Sequence, residues 1–159
     1  MSTKTIARMG LFIALSVVGA FIKIPSPTGT VALDSAPGFF AAAAFGGGEA
    51  ALIIALGHLV SSGIVGFPLT LPIHLLIAGQ MAAFAYLFGF LVRKTTGYVA
   101  VPVTTLANGV LAPLSMVPIF GWPFFVGMVI PLLVGSLVNI LLAFLVYRTM
   151  AKAGGKIAA

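Results

Sequence analysis

The sequence predicts an all-α integral membrane protein, a six-transmembrane-helix bundle formed by one domain over residues 1–159. Three observations lead there. Hydrophobic residues make up 61% of the chain and charged ones 6%, whereas a soluble domain carries about 25% charged residues. Mean hydropathy is +1.24, and the apolar runs have helical length instead of alternating in ten-residue segments, which favours a helical bundle over a β-barrel. The length of 159 residues accommodates about six spans of roughly 20 residues with short connections, and leaves no room for a separate soluble domain.

The first helix is expected from Ile6 to Ile24, ending at Pro25. Lys4 and Arg8 before an apolar run give it the look of a signal peptide, but no A-x-A site follows, so it reads as a retained helix. Gly10 with Ala14, and Ser16 with Ala20, are small-xxx-small pairs that let another helix approach closely in lipid. Each pair serves either packing inside the bundle or docking of another subunit. The loop KIPSPTGTVALDSAPG follows, with Asp34 and Ser35 ahead of Pro37 in the manner of a helix start. Asp34 is expected to cap the second helix, to accept a hydrogen bond from a solute, or both.

The second helix, Ala36 to Phe45, is short for a span and must be tilted or shielded by neighbours. Gly46, Gly47 and Gly48 predict a tight turn. Glu49 then opens the third helix, where an acid suits the positive helix terminus, and it reads as a helix-start residue rather than a proton carrier. That helix runs to Val65 and places His58, Ser61 and Ser62 on one face. The fourth runs from Pro72 to Val92 with His74 one turn in and Gln80 near mid-membrane, closed by Arg93 and Lys94. The fifth, Tyr98 to Val117, carries Asn108 near its middle and Pro113 at an expected kink. Trp122 is placed as an interfacial anchor. The sixth, Pro123 to Met150, carries Pro131, with Ser136 and Asn139 on one face, and Arg148, Lys152 and Lys156 follow its apolar core.

Charge sets the expected orientation. With six spans, both termini share a side with the turns after the second and fourth helices. That side collects Lys4, Arg8, Arg93, Lys94, Arg148, Lys152 and Lys156, and the other holds only Lys23. The positive-inside rule then makes both termini cytoplasmic. The same reasoning explains the net charge of +6 by topology and not by nucleic acid. The absence of cysteine excludes disulfides and thiolate metal sites.

The polar residues concentrate around the stretch GHLVSSGIVGFPLTLPIHLLIAGQ, Gly57 to Gln80, where two apolar runs meet at a turn. Both histidines lie there. Ionisable side chains within membrane segments are costly and point to function. Asp34, His58, Ser61, Ser62, His74 and Trp122 fall on the outer side, with Gln80, Asn108, Ser136 and Asn139 near mid-depth, so an outward-opening solute cavity is expected. Taken singly, each Asn, Gln or Ser also serves as an interhelical hydrogen bond, worth about 0.6–2 kcal/mol. A metal site from Asp34, His58 and His74 is chemically conceivable, but the spacing forms no motif. There is no G-x-x-x-x-G-K-[ST], no G-x-S-x-G and no H-E-x-x-H, so neither ATP binding in a P-loop nor these hydrolytic chemistries belong to this chain. The two acids have no partners for paired-carboxylate catalysis, and no enzyme is expected.

Six short helices in a small basic chain, the Gly10-x-x-x-Ala14 pair, a long outer first loop and the segment GGGEAALIIALGHLVSSGIVGFPL together resemble energy-coupling factor (ECF) transporter S components. These are the membrane-embedded substrate-binding subunits of bacterial and archaeal vitamin importers. The resemblance covers essentially the whole chain and implies a bacterial cytoplasmic membrane location. It further implies an ECF transmembrane coupling subunit and two ATPase subunits as partners, with ATP used by those partners and no cofactor in this chain. The family's Ala-x-x-x-Ala docking motif corresponds to Gly10 and Ala14 here, which departs from it but keeps the small surface. The segments VALDSAPGFF and GHLVSSGIVGFPLTLPIHLL look like the small S components for α-ribazole, a nucleoside precursor of the cobalamin lower ligand. On that resemblance Asp34, His58, His74 and Asn108 would hold ribose hydroxyls, and Phe39, Phe40, Phe67 and Trp122 would contact the flat ring, with Ser62 and Gln80 completing the substrate site. Thiamin or pantothenate as substrate, an autonomous small secondary carrier, and a non-transporting assembly subunit remain alternatives.

Overall fold

In a computed structural model, residues 1–154 are described and fold as helices joined by short connections. The helices are α1 (Thr3–Gly19), α2 (Ala36–Ala44), α3 (Gly47–Ile64), α4 (Leu71–Lys94), α5 (Gly97–Leu106), a π-helical turn (Ala107–Leu111), α6 (Ala112–Ser115), α7 (Val117–Phe120) and α8 (Trp122–Lys152). Lys156 lies outside the described residues. Four helical stretches are long and apolar enough to cross a bilayer: Gly47–Ile64, Leu71–Lys94, the continuous Gly97–Phe120 and Trp122–Lys152. The other two of the six expected spans are shorter. α1 has 17 residues and α2 has 9, so α2 covers about 14 Å of a hydrocarbon core roughly 30 Å thick.

α2 is short because it is interior. Every residue of it except Pro37 is buried, and α1, α3, α4 and α8 all pack around it. Its alanines let the neighbours approach, and its two phenylalanines point to opposite sides. Phe39 meets Phe88 edge to face at 5.7 Å, while Phe40 stacks on Phe12 at 5.4 Å. Two glycines make the approach possible: a Cβ on Gly38 of α2 would sit 2.5 Å from the Ile54 Cβ, and one on Gly89 of α4 would sit 2.5 Å from the Ala42 carbonyl oxygen. Arg93, one turn beyond Gly89, donates to that same carbonyl at 3.0 Å and so closes the end of α2.

The basic residues gather at one end. The start of α1, the end of α2, the start of α3, the end of α4 and the end of α8 bring Lys4, Arg8, Arg93, Lys94, Arg148 and Lys152 there. Arg8 forms a two-pronged ion pair with Glu49, its Nε 2.7 Å from Oε1, and its guanidinium lies 3.9 Å above the Phe45 ring. Glu49 sits in the first turn of α3, which begins two residues earlier than expected, at Gly47, where the lack of a side chain leaves room for the Tyr86 ring.

The opposite end is built by the first loop. The first helix stops at Gly19, five residues before the expected Ile24, because the chain turns back there: a Cβ on Gly19 would strike the Leu33 carbonyl. Residues 22–33 instead form a narrow ribbon, with Ile24 N–H donating to Val31 O and Leu33 N–H to Ile22 O. Its tip is the turn Ser26-Pro27-Thr28-Gly29, closed by Gly29 N–H to Ser26 O at 3.0 Å, with proline at the position that suits its fixed φ. The ribbon lies along α8, where Val31 fills the space left by Gly135.

Candidate functional site

The two surviving small-residue pairs of α1 separate cleanly. Ser16 and Ala20 are buried, and Ser16 faces Gly57 on α3 so closely that a Cβ there would lie 2.7 Å from its Oγ. Gly10 and Ala14 are exposed, and a Cβ on Gly10 would meet nothing within 4 Å. The first pair packs the bundle, and the second leaves a small, uncovered stripe.

A cavity of about 90 Å³ lies at the first-loop end, bounded by that loop, α3, α4, the π turn with α6, and α8. Helical periodicity explains much of its wall. On α8, Met128, Leu132, Ser136 and Asn139 recur at i, i+4, i+8 and i+11; on α4, His74, Ile77, Gln80 and Met81 share one face. Asn108 arrives differently. Pro113 has no N–H to give to the Gly109 carbonyl and its ring crowds that oxygen, which breaks the i→i−4 ladder. The chain answers with the π-helical turn Ala107–Leu111 in place of a simple kink. Such turns recur at functional sites, and this one presents Asn108 to the cavity.

Asn139 is the fastening of the first loop. Its Oδ1 accepts from Ala36 N–H at 2.7 Å, and its Nδ2 donates to Ala32 O at 2.9 Å and to Gly135 O at 2.8 Å. The expected capping of the second helix by Asp34 is therefore corrected. The free N–H at the start of α2 is satisfied from α8 by Asn139, and the N-cap residue Ser35 makes no side-chain cap bond. Asp34 is left free to turn towards α3. Its Oδ2 lies 3.9 Å from His58 Nδ1, beyond hydrogen-bond length but close enough to orient a polar N–H.

The two histidines form one unit. His58 Nε2 is 3.2 Å from His74 Nδ1 and 3.4 Å from Ser62 Oγ, and the rings lie 5.3 Å apart. Phe67 covers His74 at 5.5 Å. The α3–α4 connection that delivers it carries two non-glycine residues at positive φ, Phe67 at 48° and Thr70 at 70°. Thr70, with ψ at 155°, occupies a region otherwise held almost only by glycine, at a cost of about 1–3 kcal/mol. Among the described residues no three His, Cys, Asp or Glu side chains are placed to hold a metal ion. His58 turns one ring nitrogen to Asp34 and the other to His74, so the three groups do not converge on a common point.

Five of the residues expected at a substrate site line the cavity together: Asp34, His58, His74, Gln80 and Asn108. Ser62 stands behind His58 and touches the cavity only through it. Phe39 and Trp122 are elsewhere. Phe39 has no exposed surface because it is the centre of the α2 core, and Trp122 is 62% exposed at the start of α8, edge-on to Phe125. Phe40 and Phe67 likewise do not line the cavity. The aromatic and thioether part of the cavity wall is instead Phe124 with Met81, Met116 and Met128. Methionine fills irregular gaps and its sulfur contacts aromatic rings favourably. The α8 residues carried a signal in their i, i+4, i+8 spacing, but Met116 sits in an irregular joint that periodicity does not reach. From the first loop, Thr30 lines the cavity and Thr28 bridges Thr30 at 2.7 Å and Met128 Sδ at 3.8 Å.

A helical membrane bundle with a partly open cavity at one end, apolar for the most part but studded with polar side chains, defines a polytopic membrane protein built around an interior site. Residues 4–151 match the family described as ECF transporter, substrate-specific component, and the chain belongs to that family. It is accordingly a transporter component and not an enzyme, a partner of the ECF module that takes a small-molecule substrate. A comparison with curated proteins gave no match.

Proposed function

We propose that the chain binds a vitamin or vitamin precursor from the outer side of a bacterial cytoplasmic membrane, α-ribazole fitting best, and delivers it inward with an ATP-driven module. The observation that carries this reading is the partly open cavity with Asp34, His58, His74, Gln80 and Asn108 on its wall, at the end opposite the basic residues. With the basic end cytoplasmic, both termini are inside, α1 and α2 complete six membrane segments, and the cavity opens outward beneath the first loop. A wall that carries both hydroxyl-seeking groups and Phe124 with its methionines suits a nucleoside with a flat base; thiamin presents a comparable ring.

The cavity of about 90 Å³ is smaller than the roughly 300 Å³ of a small-molecule pocket. The first loop, which supplies one wall, therefore has to lift for the solute to enter and close after it. The coupling subunit docks on the uncovered Gly10–Ala14 stripe, and two ATPases supply the energy; the chain needs no cofactor of its own. Gly10→Trp and Ala14→Trp test that division of labour. The expected outcome is unchanged solute binding and unchanged thermal stability, with transport lost when the variants are assembled with their ECF module. Loss of binding in either variant would overturn the assignment, and proton- or sodium-driven uptake by the chain alone would favour a secondary carrier.

A further inference from the structure

The hydrogen-bonding capacity of the cavity is unevenly distributed between donors and acceptors, and its direction can be worked out atom by atom. The Asp34 carboxylate accepts only. It faces His58 Nδ1 at 3.9 Å, so with both rings neutral the His58 proton belongs on Nδ1 and its Nε2 is an acceptor. That Nε2 lies 3.2 Å from His74 Nδ1, which must then carry the His74 proton and donate. His74 Nε2 is consequently a bare lone pair. It is buried without a hydrogen-bond partner among the described residues, on a side chain 1% exposed.

Gln80 is fixed by a similar chain. Ser115 Oγ donates to Ala112 O at 2.7 Å and so accepts from Gln80 Nε2, also at 2.7 Å. The amide is thereby oriented, and Gln80 Oε1 is a second buried acceptor with no partner among the described residues. Against these three acceptors the cavity wall, among the described residues, offers no side chain that can only donate: the Asn108 amide both donates and accepts, and hydroxyls such as Ser136 serve in either sense. Among the described residues no lysine or arginine lines the cavity, and the one acidic side chain on its wall is that of Asp34.

We propose that this cavity selects a solute rich in hydrogen-bond donors and free of negative charge, a neutral polyhydroxylated nucleoside or a cation, with His74 Nε2 and Gln80 Oε1 as the discriminating acceptors. This rests on the solute-binding reading above and narrows it. A solute hydroxyl or N–H satisfies acceptors that are otherwise buried unpaired, and sites of that kind reject analogues lacking the donor far more sharply than apolar sites reject a missing methylene. A carboxylate solute would be set beside Asp34 with no cationic side chain on the wall to offset it, an arrangement that opposes binding strongly. Pantothenate and biotin are thereby disfavoured, and α-ribazole and thiamin are retained.

The test has two arms on the full chain in detergent. Histidine ¹⁵N NMR at about pH 8, where imidazoles are neutral, reads the tautomers without any ligand. The expected result is a proton on Nδ1 of both rings; a proton on His74 Nε2 overturns the proposal while leaving solute binding intact. Calorimetry then compares α-ribazole and thiamin with pantothenate and biotin. The carboxylates should bind at least about a hundredfold more weakly, and O-methylating the ribose hydroxyls of α-ribazole should weaken it about ten- to a hundredfold. In His74→Phe that methylation should lose most of its effect, the signature of a coupled pair. Tightest binding of a carboxylate overturns the proposal alone. Binding of no vitamin overturns the solute-binding reading and the proposal with it.

Discussion

Asn139→Leu separates two readings of a polar residue in a membrane helix, as a bond between helices or as the anchor of a loop. Leucine keeps nearly the same volume but removes both ends of the amide. The Gly135 carbonyl, within α8 itself, loses only a supplementary bond. Ala36 N–H and Ala32 O are different, because they are buried backbone groups whose partner across the fold is Asn139. Each buried backbone group left unpaired costs about 1–3 kcal/mol, so for the two a loss of about 2–6 kcal/mol is expected. That corresponds to a fall in Tm of about 4–24 °C for a chain of this size. An interhelical side-chain bond in lipid averages only about 0.6 kcal/mol, so the two readings differ by several-fold. Thermal unfolding in detergent gives the magnitude, and hydrogen exchange gives the place: amides from residue 32 to 36 should exchange faster while those of α4 do not. A loss under about 1 kcal/mol, or faster exchange spread evenly over the bundle, would refute the loop-anchor account. Asn108→Leu is the companion variant. Asn108 has no comparable ties, so its replacement should change stability by less than about 1 kcal/mol while removing solute binding.

Four further outcomes are expected. Phe39→Ala should cost about 3–5 kcal/mol in a thermal or denaturant assay, because Phe39 is fully buried against Phe88. Trp122→Ala should cost less than about 1 kcal/mol because the ring is mostly exposed; neither variant should alter the ranking of solutes by calorimetry, and a changed ranking in Trp122→Ala would return that residue to the site. A double-mutant cycle on Arg8→Gln and Glu49→Gln should give a coupling of about 1 kcal/mol, limited by the partial exposure of Arg8; no coupling would mean the pair is incidental to the α1–α3 contact. Thr70→Gly should raise stability by about 1 kcal/mol through relief of its backbone conformation, and a lower Tm would show that the threonine side chain holds the α3–α4 connection.

Much of this protein is determined one residue at a time, and that part the sequence carries by itself. Transfer to lipid depends on local composition, so 61% hydrophobic residues and 6% charged ones are enough to specify a helical membrane protein. Lys4, Arg8, Arg93, Lys94, Arg148 and Lys152 mark helix ends by the same local cost, and the concentration of His58, His74, Gln80 and Asn108 in an apolar chain is visible before any folding. Helical spacing also puts Ser136 and Asn139 on one face. Tertiary structure decided what spacing could not express. Whether Asp34 or Asn139 satisfies the start of α2 depends on two positions 103 residues apart meeting across the fold. Phe39 and Trp122 are equally aromatic in sequence, and only the central place of α2 makes one of them core and leaves the other at the surface. Gly10–Ala14 and Ser16–Ala20 are the same motif at the same spacing, and which pair is covered depends on where α3 lies. The tautomer of His74 depends furthest of all on three dimensions, since a carboxylate from the first loop, a ring from α3 and a ring from α4 must line up before the proton has a place to go. Hydrophobicity and helical period are properties of a segment, whereas hydrogen-bond partners are properties of the assembled bundle.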